Sequence, residues 1–223
     1  MKKNRRNLFV AMLSLALVCI IGVGATLAYF TDKTETKKNT FTTGNVGISL
    51  IDETKPEDGE IGGVDGEDGI AYNDVMPGDV LSKIVGVETD ADSADAYVAV
   101  RVAVTDVVAP HANAVELTTD EIAAQISDII ASRVDADLWA SKDMGNGDVV
   151  YYFKSVVPAD TQNLILFNNI PIPGSEWNNA YAELSFNVRV QAAAIQADNT
   201  DLDLFMGMDW ENLTNEDSAN PEF

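Results

Sequence analysis

The feature that most constrains this fold is a strict two-residue alternation of apolar side chains. Val98, Val100, Val102 and Val104 alternate with Ala99, Arg101, Ala103 and Thr105. Ala182, Leu184, Phe186, Val188 and Val190 alternate in the same way with Glu183, Ser185, Asn187, Arg189 and Gln191. Successive side chains of an extended chain point to opposite sides, so such runs predict strands with one buried and one wet face. Val46, Ile48 and Leu50 repeat the pattern around Gly47 and Ser49. Shorter strands are expected at Asp79–Glu88, Val149–Val157 and Gln162–Ile170, where β-branched and aromatic residues lie between Pro, Gly, Asn and Asp. Parallel sheets are buried on both faces and antiparallel ones need not be, so the pattern implies a mainly β, antiparallel sandwich and not an α/β sheet.

The period changes twice. Thr118-Thr119-Asp120-Glu121 is a capping-box pattern, and Ile122, Ile126, Ile129 and Ile130 follow at helical spacing. One amphipathic helix is therefore expected over 118–134, packed on the sandwich. Leu204, Phe205, Met208 and Trp210 predict a second, short helix within Thr200–Trp210. Asp52–Gly69 is acidic and glycine-rich and reads as a flexible loop, and Asn212–Phe223 reads as a disordered tail. The sandwich domain is thus bounded at 44–211.

The N-terminus has its own grammar. Lys2, Lys3, Arg5 and Arg6 precede an apolar run from Leu8 to Leu27, and Thr26 and Ala28 place small residues where a signal peptidase reads them. Residues 1–28 are therefore expected to be a helical signal peptide, cut between Ala28 and Tyr29. The competing reading is a retained anchor, since about twenty apolar residues span a bilayer. Cys19 lacks the small preceding residue of a lipobox and reads as one more apolar side chain. It is the sole cysteine, so the 195 residues after the cut hold no disulfide, thiolate metal site or Cys nucleophile. Those residues carry ten basic against thirty-six acidic side chains, a net charge of −26. That balance argues against nucleic acid and anionic lipid as partners.

The junction Gly24-Ala25-Thr26-Leu27-Ala28-Tyr29-Phe30-Thr31-Asp32, followed by a Thr/Lys-rich stretch and Asn39-Thr40-Phe41-Thr42-Thr43-Gly44, resembles the leader of the TasA and camelysin (CalY) family, which a SipW-type signal peptidase processes. Met76-Pro77-Gly78-Asp79, leading to Ala96-Tyr97-Val98-Ala99-Val100-Arg101-Val102, is similar to that family's turn-and-strand theme. Ala194-Ile195-Gln196-Ala197-Asp198 is similar to the end of its last strand. Residues 118–134 and 52–69 have no counterpart in the resemblance. The resemblance implies a jelly-roll-like sandwich, secreted to the matrix or surface of a Gram-positive bacterium and built into biofilm fibres. Each copy would lend its mature N-terminal strand to the next, a head-to-tail contact that grows a filament. The implied partners are further copies of the chain, the signal peptidase and other matrix proteins.

The assembly segment 29–43 contains Tyr29, Phe30, Lys33, Lys37, Lys38 and Phe41. Its three lysines outweigh Asp32 and Glu35 by one charge, while residues 44–223 hold seven basic against thirty-four acidic groups, −27. A basic strand would be drawn to an acidic body; equally, the lysines could serve only to keep a tail soluble. Camelysins have been classed as metallopeptidases, but the chain has one histidine, His111, where a zinc peptidase helix needs two and a Glu. No catalytic set is assigned, no cofactor is expected, and the chain is read as a non-enzyme. A monomeric surface binding protein is the other reading. Asp90, Asp92 and Asp95, or Asp198–Asp203, could offer oxygens to calcium, but neither stretch matches a calcium loop and both read as polar turns. Trp139, Trp177 and Trp210 could line a carbohydrate surface, with core positions as the default.

Overall fold

The computed structural model describes residues 46–66, 69–112, 117–174, 177, 181–198, 200–210 and 213. The expected signal helix, the cleavage site, the six assembly residues and the tail after Leu213 lie outside them.

The protein is mainly β, with two sheets that are antiparallel except at one contact. The first sheet is centred on β5 (Val80–Thr89). On one flank lie β1 (Ile48–Glu53), antiparallel, and β2 (Glu60–Gly62), the single parallel partner; on the other lies β9 (Leu164–Pro171). The second sheet runs β3 (Val64–Gly66), β4 (Gly69–Val75), β10 (Leu184–Gln196), β6 (Ala96–Val108), β8 (Asp148–Phe153) and β7 (Trp139–Gly145). β6 and β10, the two strands with the clearest alternation, form its centre, in register from Ala96↔Gln196 to Thr105↔Asn187.

The two sheets share one core, the arrangement of a β-sandwich. Ile48, Leu81 and Val85 of the first sheet join Val98, Val100, Phe186 and Val188 of the second in a single buried cluster. Helix α1 (Thr119–Ala131) adds Ile122, Ile126 and Ile130 to it. The capping box forms as the sequence predicts: the Thr118 hydroxyl accepts from Glu121 N at 3.2 Å, and Thr118 N donates to Glu121 Oε2 at 2.8 Å. The helix stops at Ala131, short of Val134. Helix α2 (Leu202–Gly207) occupies the second expected helical stretch, capped by Asp201.

Three expectations need correcting. Alternation predicts one wet face for β6 and β10, yet Ala99, Ala193 and Ile195 are buried on the outer side as well. With Val150 and Tyr152 they form a second apolar cluster, covered by Phe205, Trp210 and Leu213. The C-terminal residues therefore supply a lid that period-two reasoning cannot foresee. Next, Asp52–Gly69 is not one loop. β1 extends to Glu53, and β2 and β3 form because Ile61 and Val64 are good strand formers lying beside β5 and β4. Finally, β4 and β7 went unpredicted. Asp74, at φ 53°, sits in a bulge where β4 places two residues, Asn73 and Asp74, between Tyr72 and Val75 against the single Ser185 between Leu184 and Phe186, and this breaks the alternation. In β7 only Trp139 is buried.

Candidate functional site

None of the residues that the sequence nominates for processing or assembly (Thr26, Ala28, Tyr29, Phe30, Lys33, Lys37, Lys38 and Phe41) falls among the described ones. The structure does describe where that segment enters the body. Val46 is fully buried, and Gly47 is pinned on both sides. Its N donates to Ser93 Oγ at 3.2 Å, and its carbonyl accepts from Asp90 N at 3.0 Å. A Cβ on Gly47 would stand 2.4 Å from Asp90 Oδ2, so any larger residue here would have to displace the Asp90 side chain. The chain then passes directly into β1, which stands at the edge of its sheet among the described residues, in register with β5 from Ile48↔Thr89 to Glu53↔Ile84.

The inner face of β5 reads Leu81, Lys83, Val85, Val87: a lysine placed where the pattern calls for an aliphatic residue. Lys83 is 0 % exposed and Asp52 of β1 is 15 % exposed. Asp52 stands opposite Val85, and Lys83 is the next residue of β5 on that same face, so the two meet diagonally across the strand pair. Lys83 Nζ contacts Asp52 Oδ1 and lies 3.3 Å from the Val188 carbonyl of the opposing sheet. Tyr72 is near enough to feel the charge of Asp52. Its hydroxyl donates to the Ser82 carbonyl at 2.7 Å, and its ring packs on Phe186 at 5.7 Å between centroids. Burial pushes the Lys83 ammonium down, against the attraction of Asp52. Burial likewise pushes the Asp52 carboxyl up, against Lys83, with the charge of Asp65 adding to the rise. Both directions favour a neutral amine beside a neutral acid. The Tyr72 hydroxyl is pushed up for the same reason, with Asp52 and Asp65 contributing. Sequence reasoning passed over this pair; a lysine at an inward position of an alternating strand was the signal that could have found it.

The other cations of the body are largely held by its own groups. Arg101 grips Asp148, with Nε to Oδ1 at 2.9 Å and Nη2 to Oδ2 at 2.5 Å. Lys55 pairs with Glu53 at 2.6 Å. Lys142 donates to the Met206 carbonyl at 3.1 Å and Lys154 to that of Ala136 at 2.6 Å. The acidic excess of the body is thus turned outward with few cations left to offset it.

The remaining candidates are dispersed. His111 lies 3.2 Å from Glu183 Oε2, both exposed, and among the described residues no group of three or more His, Cys, Asp or Glu side chains could hold a metal ion. Asp90 serves the turn at Gly47, and Asp201 caps α2. Trp139 and Trp210 are buried, while Trp177 is half-buried and stacks on Tyr181 at 4.2 Å. The Pro77-Gly78 turn closes with Asp79 N donating to the Met76 carbonyl at 3.1 Å, and Gly78 at φ 97° supplies the left-handed residue that this turn needs. Among the described residues no helix is long and apolar enough to cross a membrane. No family model, curated protein or solved structure matches this chain.

Proposed function

We propose that this chain is a secreted structural protein of a Gram-positive extracellular matrix, one that polymerises head to tail through its mature N-terminal segment. In this reading a SipW-type peptidase cuts between Ala28 and Tyr29, with Thr26 and Ala28 as the recognised small residues. The freed segment, carrying Tyr29, Phe30, Lys33, Lys37, Lys38 and Phe41, pairs as an added strand with a sheet of the next copy. The body takes the jelly-roll form of the family that the leader, the Pro-Gly-Asp turn and the last strand resemble. No cofactor or catalytic group takes part.

The observation that carries this reading is the continuity of the segment with β1. A chain that leaves a sheet from its edge strand, through a tightly held glycine, is positioned to reach a neighbour while its own body stays folded. Charge supports the same reading, because a segment of +1 meets a body of −27. Deleting residues 29–40 from the mature protein tests it by negative-stain microscopy. Filaments in the full-length mature protein and none in the deletion are expected; undiminished filaments in the deletion would end the donor-strand reading and leave a monomeric surface protein.

A further inference from the structure

We propose that Lys83 and Asp52 are joined by an intramolecular amide bond, formed within the folded body, that welds edge strand β1 to central strand β5. The geometry is that of a reaction complex. The amine contacts the carboxylate directly, in a site where Lys83 is 0 % exposed and Asp52 is 15 % exposed. The Val188 carbonyl at 3.3 Å orients the amine from the opposite sheet. Holding two reactants in contact removes the entropy cost of bringing them together. Excluding water also removes the solvent that would keep both groups charged and unreactive. The burial that lowers Lys83 and raises Asp52 shifts the pair toward its reactive form, a free amine and an uncharged acid, against their mutual attraction.

The step balances without any co-reactant. Nζ of neutral Lys83 attacks Cγ of protonated Asp52, and an N–C bond forms. The C–O bond to the hydroxyl then breaks, and the hydroxyl leaves with a proton from the nitrogen as one water molecule. Nothing is oxidised or reduced. The product keeps a carbonyl and a single N–H, and the Val188 carbonyl stands ready to accept from that N–H. Asp65 of β3, whose charge acts on both groups, is a carboxylate beside the reaction and not a participant in the balance.

The bond would fill a structural need. The chain after residue 28 has no cysteine, so no disulfide can fasten its edge strand. β1 is the strand into which the N-terminal segment runs, and Asp52 lies near its far end. A pull on the segment would then meet a covalent stop six residues beyond Val46 instead of a row of hydrogen bonds. The inference does not depend on polymerisation, because the chemistry belongs to one folded copy.

Intact-mass spectrometry of the purified mature protein, fully denatured, is the test. The expected mass is about 18 Da below that of the sequence, one water lost. Digestion after glutamate, which cuts at Glu53, Glu67 and Glu88, should leave the peptide ending at Glu53 joined to the peptide 68–88. A full sequence mass in the wild-type protein would overturn the proposal, and no variant needs to fold for that result. A dehydrated aspartate such as a succinimide at Asp58-Gly59 gives the same loss without joining two peptides. Loss of water that persists in Lys83→Arg, or two separate peptides in the wild type, would therefore also overturn it. Lys83→Arg and Asp52→Ala should both run at their full sequence masses.

Discussion

Two ion pairs of this body are built on one plan and face opposite ways. Lys83 and Asp52 meet diagonally across β5 and β1 on the inner face. Arg101 and Asp148 meet diagonally across β6 and β8 on the outer face, with Arg101 opposite Val150 and Asp148 opposite Ala103. The outer pair keeps about a fifth of each side chain in water (22 % and 20 %), while Lys83 has none. Head-group chemistry follows exposure. A guanidinium stays charged at any pH that the fold survives, and its fork matches a carboxylate, so the outer pair is a charged clamp. A lysine gives up its proton when desolvated, so the inner pair can become an amine and an acid. The same cross-strand geometry yields a clamp on one face and a reactive pair on the other.

The largest expected effect separates the two pairs directly. Asp52→Ala leaves a buried amine with no carboxylate and should cost about 3–5 kcal/mol in urea unfolding, with loss of the covalent link adding to it. Asp148→Ala leaves an arginine that can turn to water and should cost about 1 kcal/mol or less. Equal costs would dissolve the distinction. Proton linkage sharpens it further. The folded value of Lys83 lies below its ordinary 10.5, so an unlinked lysine would bind fewer protons folded than unfolded. Stability would then climb as pH rises through that interval. An amide does not titrate. As pH rises toward the ordinary 10.5, the stability difference between wild type and Lys83→Met should therefore be flat for a linked protein, and a rising difference would mean a free amine.

How much of this could be read from the chain alone depends on what each strand faces. β6 and β10 were legible because their valines and aromatics alternate against a continuous core. So was α1, whose capping box and isoleucines name both its start and its buried side. β4 was hidden by the bulge at Asp74, where one extra residue shifts the period. The outer apolar cluster was hidden because Ala99 and Ala193 count as neutral positions until Phe205 and Trp210 cover them. The inner pair was hidden in the opposite way. A lysine in a strand reads as a solvent marker, and only the neighbouring Leu81, Val85 and Val87 show that it must point inward. Charge totals miss it altogether, since two groups in a chain of net −22 hardly alter the sum. Of the candidate assembly site, the junction motif lies outside the described residues, while the strand's place at one flank of β5 and the bonds that hold Gly47 became visible only through register.

Tyr151 offers another inward-facing polar group, buried like Lys83 but, among the described residues, without a partner. It is 2 % exposed, and its hydroxyl has no hydrogen-bond partner among the described residues. Burial, with Asp128 and Asp143 adding, pushes the phenol up to about 12. A raised folded value means that its contribution is fully present below the ordinary 10.0 and is lost as pH rises through about 12. If partnering is what makes inward polarity tolerable, Tyr151→Phe removes a cost of about 1 kcal/mol and should raise the urea midpoint. It should also remove the part of the alkaline loss that begins near pH 10. A lowered midpoint would mean that the hydroxyl is satisfied, and the inner pair would lose its claim to be exceptional.

The smallest effect tests the outer pair. A double-mutant cycle between Arg101→Ala and Asp148→Ala should give a coupling of about 0.2–1 kcal/mol, the range for cross-strand pairs that water still reaches. Because the Debye length shrinks from about 10 Å at 0.1 M salt to about 3 Å at 1 M, that coupling should fall as salt is added. Arg101→Lys should retain part of it, since the charge survives while the two-pronged grip does not. At the inner site the same salt series should change the cost of Asp52→Ala less, since Lys83 is wholly buried and only Asp52 keeps contact with water. Matching salt responses at the two sites would show that Lys83 is hydrated in solution, and the reactive pair would then be one more clamp.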